Sequence, residues 1–229
     1  MIKYSDSNVF NTGTDAIVNT INCVGFMGKG LALEYALRYP KLLEEYKQKC
    51  NKKEIIIGKI YYFQSDKLII NFPTKNDYKF PSKLEWIELG LQDFIKTYKK
   101  YNIKSVSFPL LGCGNGGLNP DIVKKMMEKY LSNLDIEVVI CLDKNNPEGK
   151  ELEMINSFNR LDVEILSKYV SLNNKQKETI KLNQGKIDRF YEISKLEGIG
   201  FITYKNIFRL LYDNNINLNK SEYYQQSLF

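Results

Sequence analysis

Residues 15–38 read DAIVNTINCVGFMGKGLALEYALR, and the fold is decided here. Ala16-Ile17-Val18 is a short apolar run, as expected of a strand buried on both faces. The chain then turns polar at Asn19, Thr20 and Asn22 and crosses Gly25, Gly28 and Gly30, with Lys29 between the last two. Beyond Gly30 the apolar residues Leu31, Ala32, Leu33, Tyr35, Ala36 and Leu37 suit a helix. A strand that ends in amides, passes a glycine loop and starts a helix offers backbone N–H groups to an anion. A nucleotide or phosphate ligand is one reading of this stretch. The other is a plain strand-to-helix turn that uses glycine for its dihedral angles.

The same grammar returns further along. A buried strand over 105–111 leads into Gly112-Cys113-Gly114-Asn115-Gly116-Gly117, then Asn119 as an N-cap and Pro120 at the first helical position. A third strand, 68–72, ends where Pro73-Thr74-Lys75 breaks it. Further strands are expected over 1–4, 55–57, 59–63 and 136–142. Helices are expected over 30–39, from Pro40 to about residue 50, and from a Ser82/Glu85 capping box to about residue 101. Another begins at Pro147 and runs to about residue 158. Alternating strands and helices describe an α/β layered sheet, whose ligand crevice lies at the strand C-terminal ends. Composition shifts near residue 160. Residues 163–170 read as strand or helix, and from residue 173 the chain is lysine-rich and helical, with a break at Gly185 and a further helix over 201–212. The expected division is 1–165 for the α/β domain and 166–229 for a small helical C-terminal appendage, with a loose tail at its end.

Composition narrows the chemistry. There is no histidine among the 229 residues, which excludes Ser-His-Asp and Cys-His catalysis, HExxH zinc sites and any histidine base. Cys23, Cys50, Cys113 and Cys141 are far apart and form no CxxC pair, so neither a metal site nor a disulfide framework is expected, and a reducing cytoplasm is the simplest setting. No apolar run is long enough to span a membrane, and the N-terminus lacks the form of a signal peptide. The formal net charge of +6 suits an acidic ligand or a nucleic acid, and a solvated lysine-rich surface equally.

Three polar features therefore stand just past strand ends: 19–30, 73–75 and 112–117. Neither glycine loop is a GxxxxGK[ST] phosphate loop, and neither is a GxGxxG fingerprint followed by the required acid. Lys75 follows a buried strand behind Pro73, and a lysine held at a partly dry crevice can serve as base or nucleophile; a surface loop lysine is the plainer reading. Asn22 is placed to meet a ribose or a water, or to cap a turn. Lys29 faces phosphate, DNA or solvent, and Cys113 reads as a small loop filler with nothing to activate it. Tyr61, Tyr62 and Phe63 read as strand packing.

DAIVNTIN followed by GFMGKGLALEY, then NFPTK with PSKLEWIELGL, then PLLGCGNGGL together resemble the macrodomain family, in the DarG branch, over about 140 residues. The resemblance implies a three-layer α/β/α fold with a mixed central sheet that binds ADP-ribose. It also implies hydrolysis of ADP-ribose from thymidine bases in single-stranded DNA, without cofactor or metal, and an antitoxin role against a DarT-type DNA ADP-ribosyltransferase. On this resemblance Lys75 is the catalytic lysine, and Asn22 contacts the distal ribose. Asn8 and Val9 meet adenine. Gly25 to Gly30, with Gly28, Lys29 and Gly30 as ligand contacts, matches the first phosphate-side loop, and Asn19, Thr20 and Leu31 also bind ADP-ribose. Pro73 and Thr74 flank the lysine, and Gly112, Cys113, Gly114, Asn115, Gly116, Gly117 and Leu118 cradle the diphosphate. The expected partners are ADP-ribose and ADP-ribosylated single-stranded DNA, a DarT-type toxin, and no membrane; the expected state is a monomer. Two other readings share the glycine loops: a non-catalytic ADP-ribose reader, and a hydrolase of ADP-ribosylated protein or O-acetyl-ADP-ribose. After the PTK motif the branch often has a His-Trp-Arg-like stretch, whereas Asn76-Asp77-Tyr78-Lys79 stands here; Tyr78 is placed to stack on a base and Lys79 to meet phosphate.

Overall fold

In the computed structural model, which describes residues 1–213, the run at 16–18 lies inside a six-stranded sheet. The strands are β1 (Ile2–Ser5), β2 (Ala16–Asn22), β3 (Tyr61–Gln64), β4 (Leu68–Lys75), β5 (Ser105–Pro109) and β6 (Glu137–Cys141). Their order is β1-β6-β5-β2-β4-β3; all pairs are parallel except β3 with β4, so the sheet is mixed as expected. Helices α1 (Gly30–Arg38), α2 (Pro40–Asn51), α3 (Leu84–Thr97) and α4 (Pro120–Leu131) supply the outer layers.

The two-residue period of the strands sorts side chains between those layers. Ala16, Val18, Ile70, Phe72, Val138 and Ile140 pack with Ile87, Leu91 and Phe94 of α3 and Val123, Met127 and Leu131 of α4. Their neighbours Ile17, Ile69, Val139 and Cys141 pack with Tyr35 of α1 and Leu42 of α2. Burial on both faces is why the inner strands read as unbroken apolar runs. Helix boundaries follow local chemistry. Asn119 accepts from the N–H groups of Asp121 (2.9 Å) and Ile122 (3.3 Å), and Pro120 follows at the first helical position.

Four local expectations are corrected. Residues 55–57 are not a strand: Ile55 is buried against Ile21, Met27 and Tyr46 for packing alone, and Gly58 turns the chain at φ +79°. Pro73 does not break β4, which continues to Lys75. β3 pairs only as far as Asn71, and the β2–β4 ladder shifts register between Ile21 and Asn22, so a residue without an N–H is tolerated there. The Ser82/Glu85 capping box does not form. Lys83 is the N-cap, with no side-chain cap bond, while the Ser82 N–H donates to the Gly116 carbonyl at 2.9 Å. The helix expected to open at Pro147 starts at Gly149, with Glu148 as its N-cap.

The chain divides into a unit spanning residues 1–145 and another that begins at Asn146, ahead of the boundary expected at 165/166. The later unit holds α5 (Gly149–Arg160), α6 (Val163–Tyr169), α7 (Asn174–Asn183) and α8 (Phe201–Tyr212), so the segment at 163–170 is a helix. Glu151, buried on α5, takes both guanidinium contacts of Arg189 (2.9 and 3.1 Å) and the N–H of Phe190 (3.0 Å). A capping box between Asn173 and Gln176 starts α7, which ends just before Gly185 at φ +77°. The tail expected to be loose lies outside the described residues.

Gly90 lets α3 lie directly against the Phe72 ring of the sheet. A Cβ there would lie 2.3 Å from the enclosed Phe72 ring. Helix propensity favours Gly90→Ala by about 1 kcal/mol, but overpacking a closed core costs about 1–3 kcal/mol. The expected result is a net destabilisation, read as a lower urea midpoint with an unchanged slope.

Candidate functional site

The C-terminal ends of β2, β4, β5 and β6 open onto one cavity of about 640 Å³, within the range of small-molecule sites. Two glycine loops and the Lys75 corner form its walls.

The first wall depends on Asn22. Its side chain is 6% exposed, and nearly all of its polar capacity is used within the protein. Oδ1 accepts from the N–H groups of Val24 (3.0 Å) and Phe26 (3.4 Å) and from the hydroxyl of buried Tyr46 (2.9 Å), and Nδ2 donates to the Phe26 carbonyl at 2.5 Å. The Tyr46 hydroxyl also reaches the Asn22 carbonyl at 2.8 Å, and burial holds this phenol in its neutral form far above the usual range. Asn22 thus shapes the loop it begins. Gly28 is required because the Phe26 ring folds over it: a Cβ would lie 2.2 Å from that ring. α1 then starts at Gly30 (φ +56°) with extended Lys29 as its N-cap and no side-chain cap bond. Gly30, Leu31 and Ala32 of its first turn line the cavity, and first-turn N–H groups lack intrahelical partners.

The second wall folds back on itself. The Leu118 N–H donates to the Gly112 carbonyl at 3.1 Å, and the Gly117 N–H to Cys113 at 3.1 Å and Gly114 at 3.2 Å. The walls meet where Asn115 Nδ2 lies 2.8 Å from the place a Gly30 Cβ would take. Lys75 crosses between the two features, its Nζ donating to the Asn115 carbonyl at 2.6 Å and to the Tyr78 carbonyl at 3.4 Å.

The cavity therefore brings together Asn8, Val9, Thr20, Asn22, Gly28, Lys29, Gly30, Leu31, Thr74, Lys75, Gly112, Cys113, Gly114, Asn115 and Gly116. Asn8 also caps its own turn, accepting from the Phe10 N–H at 2.9 Å. Burial pushes the Cys113 thiol up to about 11, so it is no thiolate nucleophile at neutral pH. Four expected residues lie off the cavity lining. Asn19 is fully buried and donates to Asn71 Oδ1 at 2.9 Å, joining β2 to β4. Pro73 continues β4, Gly117 makes the turn at φ +76°, and Leu118 packs on the core. Residues that sequence reasoning missed are Phe26, an aromatic set between glycines, and Leu142 and Asp143 beyond the end of β6. The signal for the last two was the rule already applied to β2 and β5. Among the described residues, no cluster of three His, Cys, Asp or Glu side chains is placed to hold a metal ion, and no helix is long and apolar enough to cross a membrane.

The Macro domain family model matches residues 18–127. A Mycobacterium tuberculosis protein named DNA ADP-ribosyl glycohydrolase is 41% identical over 146 residues, 61% of this chain and 42% of that protein, so this chain matches less than half of that relative's length. Among solved structures, the macrodomain of Mycobacterium tuberculosis DarG is 43% identical with a TM-score of 0.60, covering 62% of this chain and 97% of that one. Thermosipho africanus DarTG, solved in complex with ADP-ribose, is 33% identical with a TM-score of 0.58, covering 64% of this chain and 43% of that one.

Two glycines of the second loop differ sharply in the room they have. A Cβ on Gly116 would lie 2.1 Å from the Gly112 carbonyl oxygen, whereas one on Gly114 meets nothing within 4 Å. Gly116→Ala should destabilise by roughly 2 kcal/mol or more, and Gly114→Ala by no more than about 0.5 kcal/mol. Equal melting temperatures for the two variants would show that the loop is free to re-form.

Proposed function

The chain belongs to the macrodomain family, and from that premise we propose that its cavity holds ADP-ribose and hydrolyses the bond joining ADP-ribose to a thymine base in single-stranded DNA. The observation that carries this is the Lys75 ammonium, held on the cavity wall 2.6 Å from the Asn115 carbonyl of the second glycine loop. A cation fixed at that corner lies where a sugar bound through its diphosphate would present its anomeric carbon.

The roles follow from position. The first turn of α1 and the loop 112–116 take the diphosphate, so remote binding energy orients the distal ribose. Asn8 and Val9 lie at the adenine end. Asn22 acts through the loop it shapes. In the reaction a water oxygen bonds to the anomeric carbon while the carbon–nitrogen bond breaks, and its electron pair stays on the base nitrogen. Lys75 gives that nitrogen a proton, and the water's proton returns to the lysine amine. The diphosphate stabilises the oxocarbenium character of the transition state. The similarity to proteins named DNA ADP-ribosyl glycohydrolase, and to DarTG solved with ADP-ribose, supports both substrate and ligand. On the same basis the biological partner is a DarT-type DNA ADP-ribosyltransferase, which this protein opposes as an antitoxin; a monomer in a reducing cytoplasm is the setting its cysteines suit. The ADP-ribose chemistry belongs to the α/β domain, assigned to residues 1–165, and 166–229 form an extension to it.

Lys75→Ala should lower turnover of an ADP-ribosylated thymidine oligonucleotide by at least about 100-fold, with ADP-ribose affinity kept within about tenfold by calorimetry. Full activity in the variant would remove Lys75 from this role. ADP-ribose binding by a wild type that turns over no DNA substrate would identify a reader instead.

A further inference from the structure

Two exposed aromatic rings stand together on the cavity wall, and the chemistry above uses neither. Phe26 is 48% exposed and Tyr78 is 44% exposed, yet they come from different loops and their ring centroids lie 4.5 Å apart at 45°. The pair is built on a held backbone. The Cys23 N–H donates to the Asn76 carbonyl at 3.2 Å, which joins the two loops. The Asn22 amide grips Phe26 on both its N–H and its carbonyl. Asp77 Oδ1 accepts from the Lys79 N–H at 2.9 Å, and the Phe80 N–H returns to the Asp77 carbonyl at 3.2 Å.

Packing accounts for part of this arrangement, because the Phe26 ring covers Gly28. It does not account for Tyr78, which is left half in water beside a second exposed ring. Charge indicates what covers it. Lys79 Nζ lies 5.8 Å from the Tyr78 ring centre, while Lys29 and Lys75 line the adjoining cavity. The nearest carboxylate in the turn, Asp77, is engaged with the backbone. Exposed aromatic faces beside lysines, continuous with a cavity, are how single strands are held: bases stack and phosphates meet cations.

We propose that Phe26 and Tyr78 form a stacking platform for a base that flanks the modified nucleotide in single-stranded DNA, with Lys79 taking the adjoining phosphate. This rests on the hydrolase reading for the identity of the modified nucleotide, but the platform binds the strand itself. It makes the protein prefer an ADP-ribosylated oligonucleotide over an ADP-ribosylated nucleoside, which has no flanking base.

The first measurement is fluorescence anisotropy of an unmodified single-stranded thymidine-containing oligonucleotide with the ADP-ribose-loaded protein. Tyr78→Ala should weaken binding by about tenfold, the scale of one lost base stack, and Tyr78→Phe should restore it. Lys79→Gln should flatten the salt dependence of binding. The second measurement is turnover. Tyr78→Ala should raise KM for the modified oligonucleotide by a similar factor with kcat little changed, and leave KM for the modified nucleoside alone. If the wild type hydrolyses neither substrate yet the anisotropy result holds, the hydrolase reading fails and the platform stands. Unchanged oligonucleotide affinity in Tyr78→Ala overturns the platform, as does an equal loss for oligonucleotide, nucleoside and free ADP-ribose, which would show that the ring only shapes the cavity.

Discussion

Parallel pairing of strands constrains everything else in the α/β unit. Two parallel neighbours must be joined by a crossover, so the C-terminal ends of β2, β4, β5 and β6 emerge at one edge of the sheet. Each crossover leaves from that edge, and the chain must turn there before its helix begins. The turn residues of segments far apart in sequence are therefore collected in one place. The single antiparallel pairing, β3 with β4, lies at the sheet's outer edge. It closes the layer without altering the geometry of the crevice.

Within that crevice a few buried polar contacts fix loops that glycine alone would leave free. Glycine permits positive φ at Gly25, Gly30 and Gly112 but specifies nothing. Specification comes from Asn22, whose carboxamide holds two backbone N–H groups and a carbonyl, with Tyr46 bonded from below. Tyr46 is fully buried, and its hydroxyl stays paired through both the carboxamide and the backbone carbonyl of Asn22. The second loop is held by its own backbone and by the Ser82 N–H. The walls of the cleft are thus held by contacts within the protein itself.

The sheet and the edge that carries the cavity were legible from the residues, because short apolar runs and strand–glycine–helix grammar are local signals. Apolar runs at 16–18 and 68–72 placed β2 and β4, and Asn119-Pro120 placed the start of α4. What failed were positions where tertiary packing overrides a local pattern. Ile55 is apolar because it fills a gap beside Tyr46, not because it joins a ladder. Ser82 carries the capping signature, but its backbone is drawn to Gly116 and the helix starts one residue later than the box requires. Asn19 has the same polar character as Asn22, yet side-chain alternation turns it inward to Asn71. The pairing of Phe26 with Tyr78 needed three dimensions, since 52 positions separate them and no sequence rule joins their two loops. The identity of the ligand came from resemblance, as glycine loops by themselves accept any diphosphate.

Histidine's absence carries the remaining step. Without imidazole, the cavity's candidates for moving a proton are Lys29, Lys75, Asp143, the thiol of Cys113 and the hydroxyl of Tyr78, whose ring lies against Phe26. Burial keeps the Cys113 thiol protonated, so it supplies no thiolate nucleophile or base. Lys29 precedes α1 on an extended backbone as its N-cap, at the first wall of the cavity. Asp143 follows β6, across the sheet from β4. Lys75 ends the strand directly paired with β2, and its ammonium is held by the carbonyls of Asn115 in the second loop and of Tyr78 in its own turn. An ammonium so anchored is positioned by the same backbone that would hold the diphosphate, so ligand placement and proton placement are set by one rigid element.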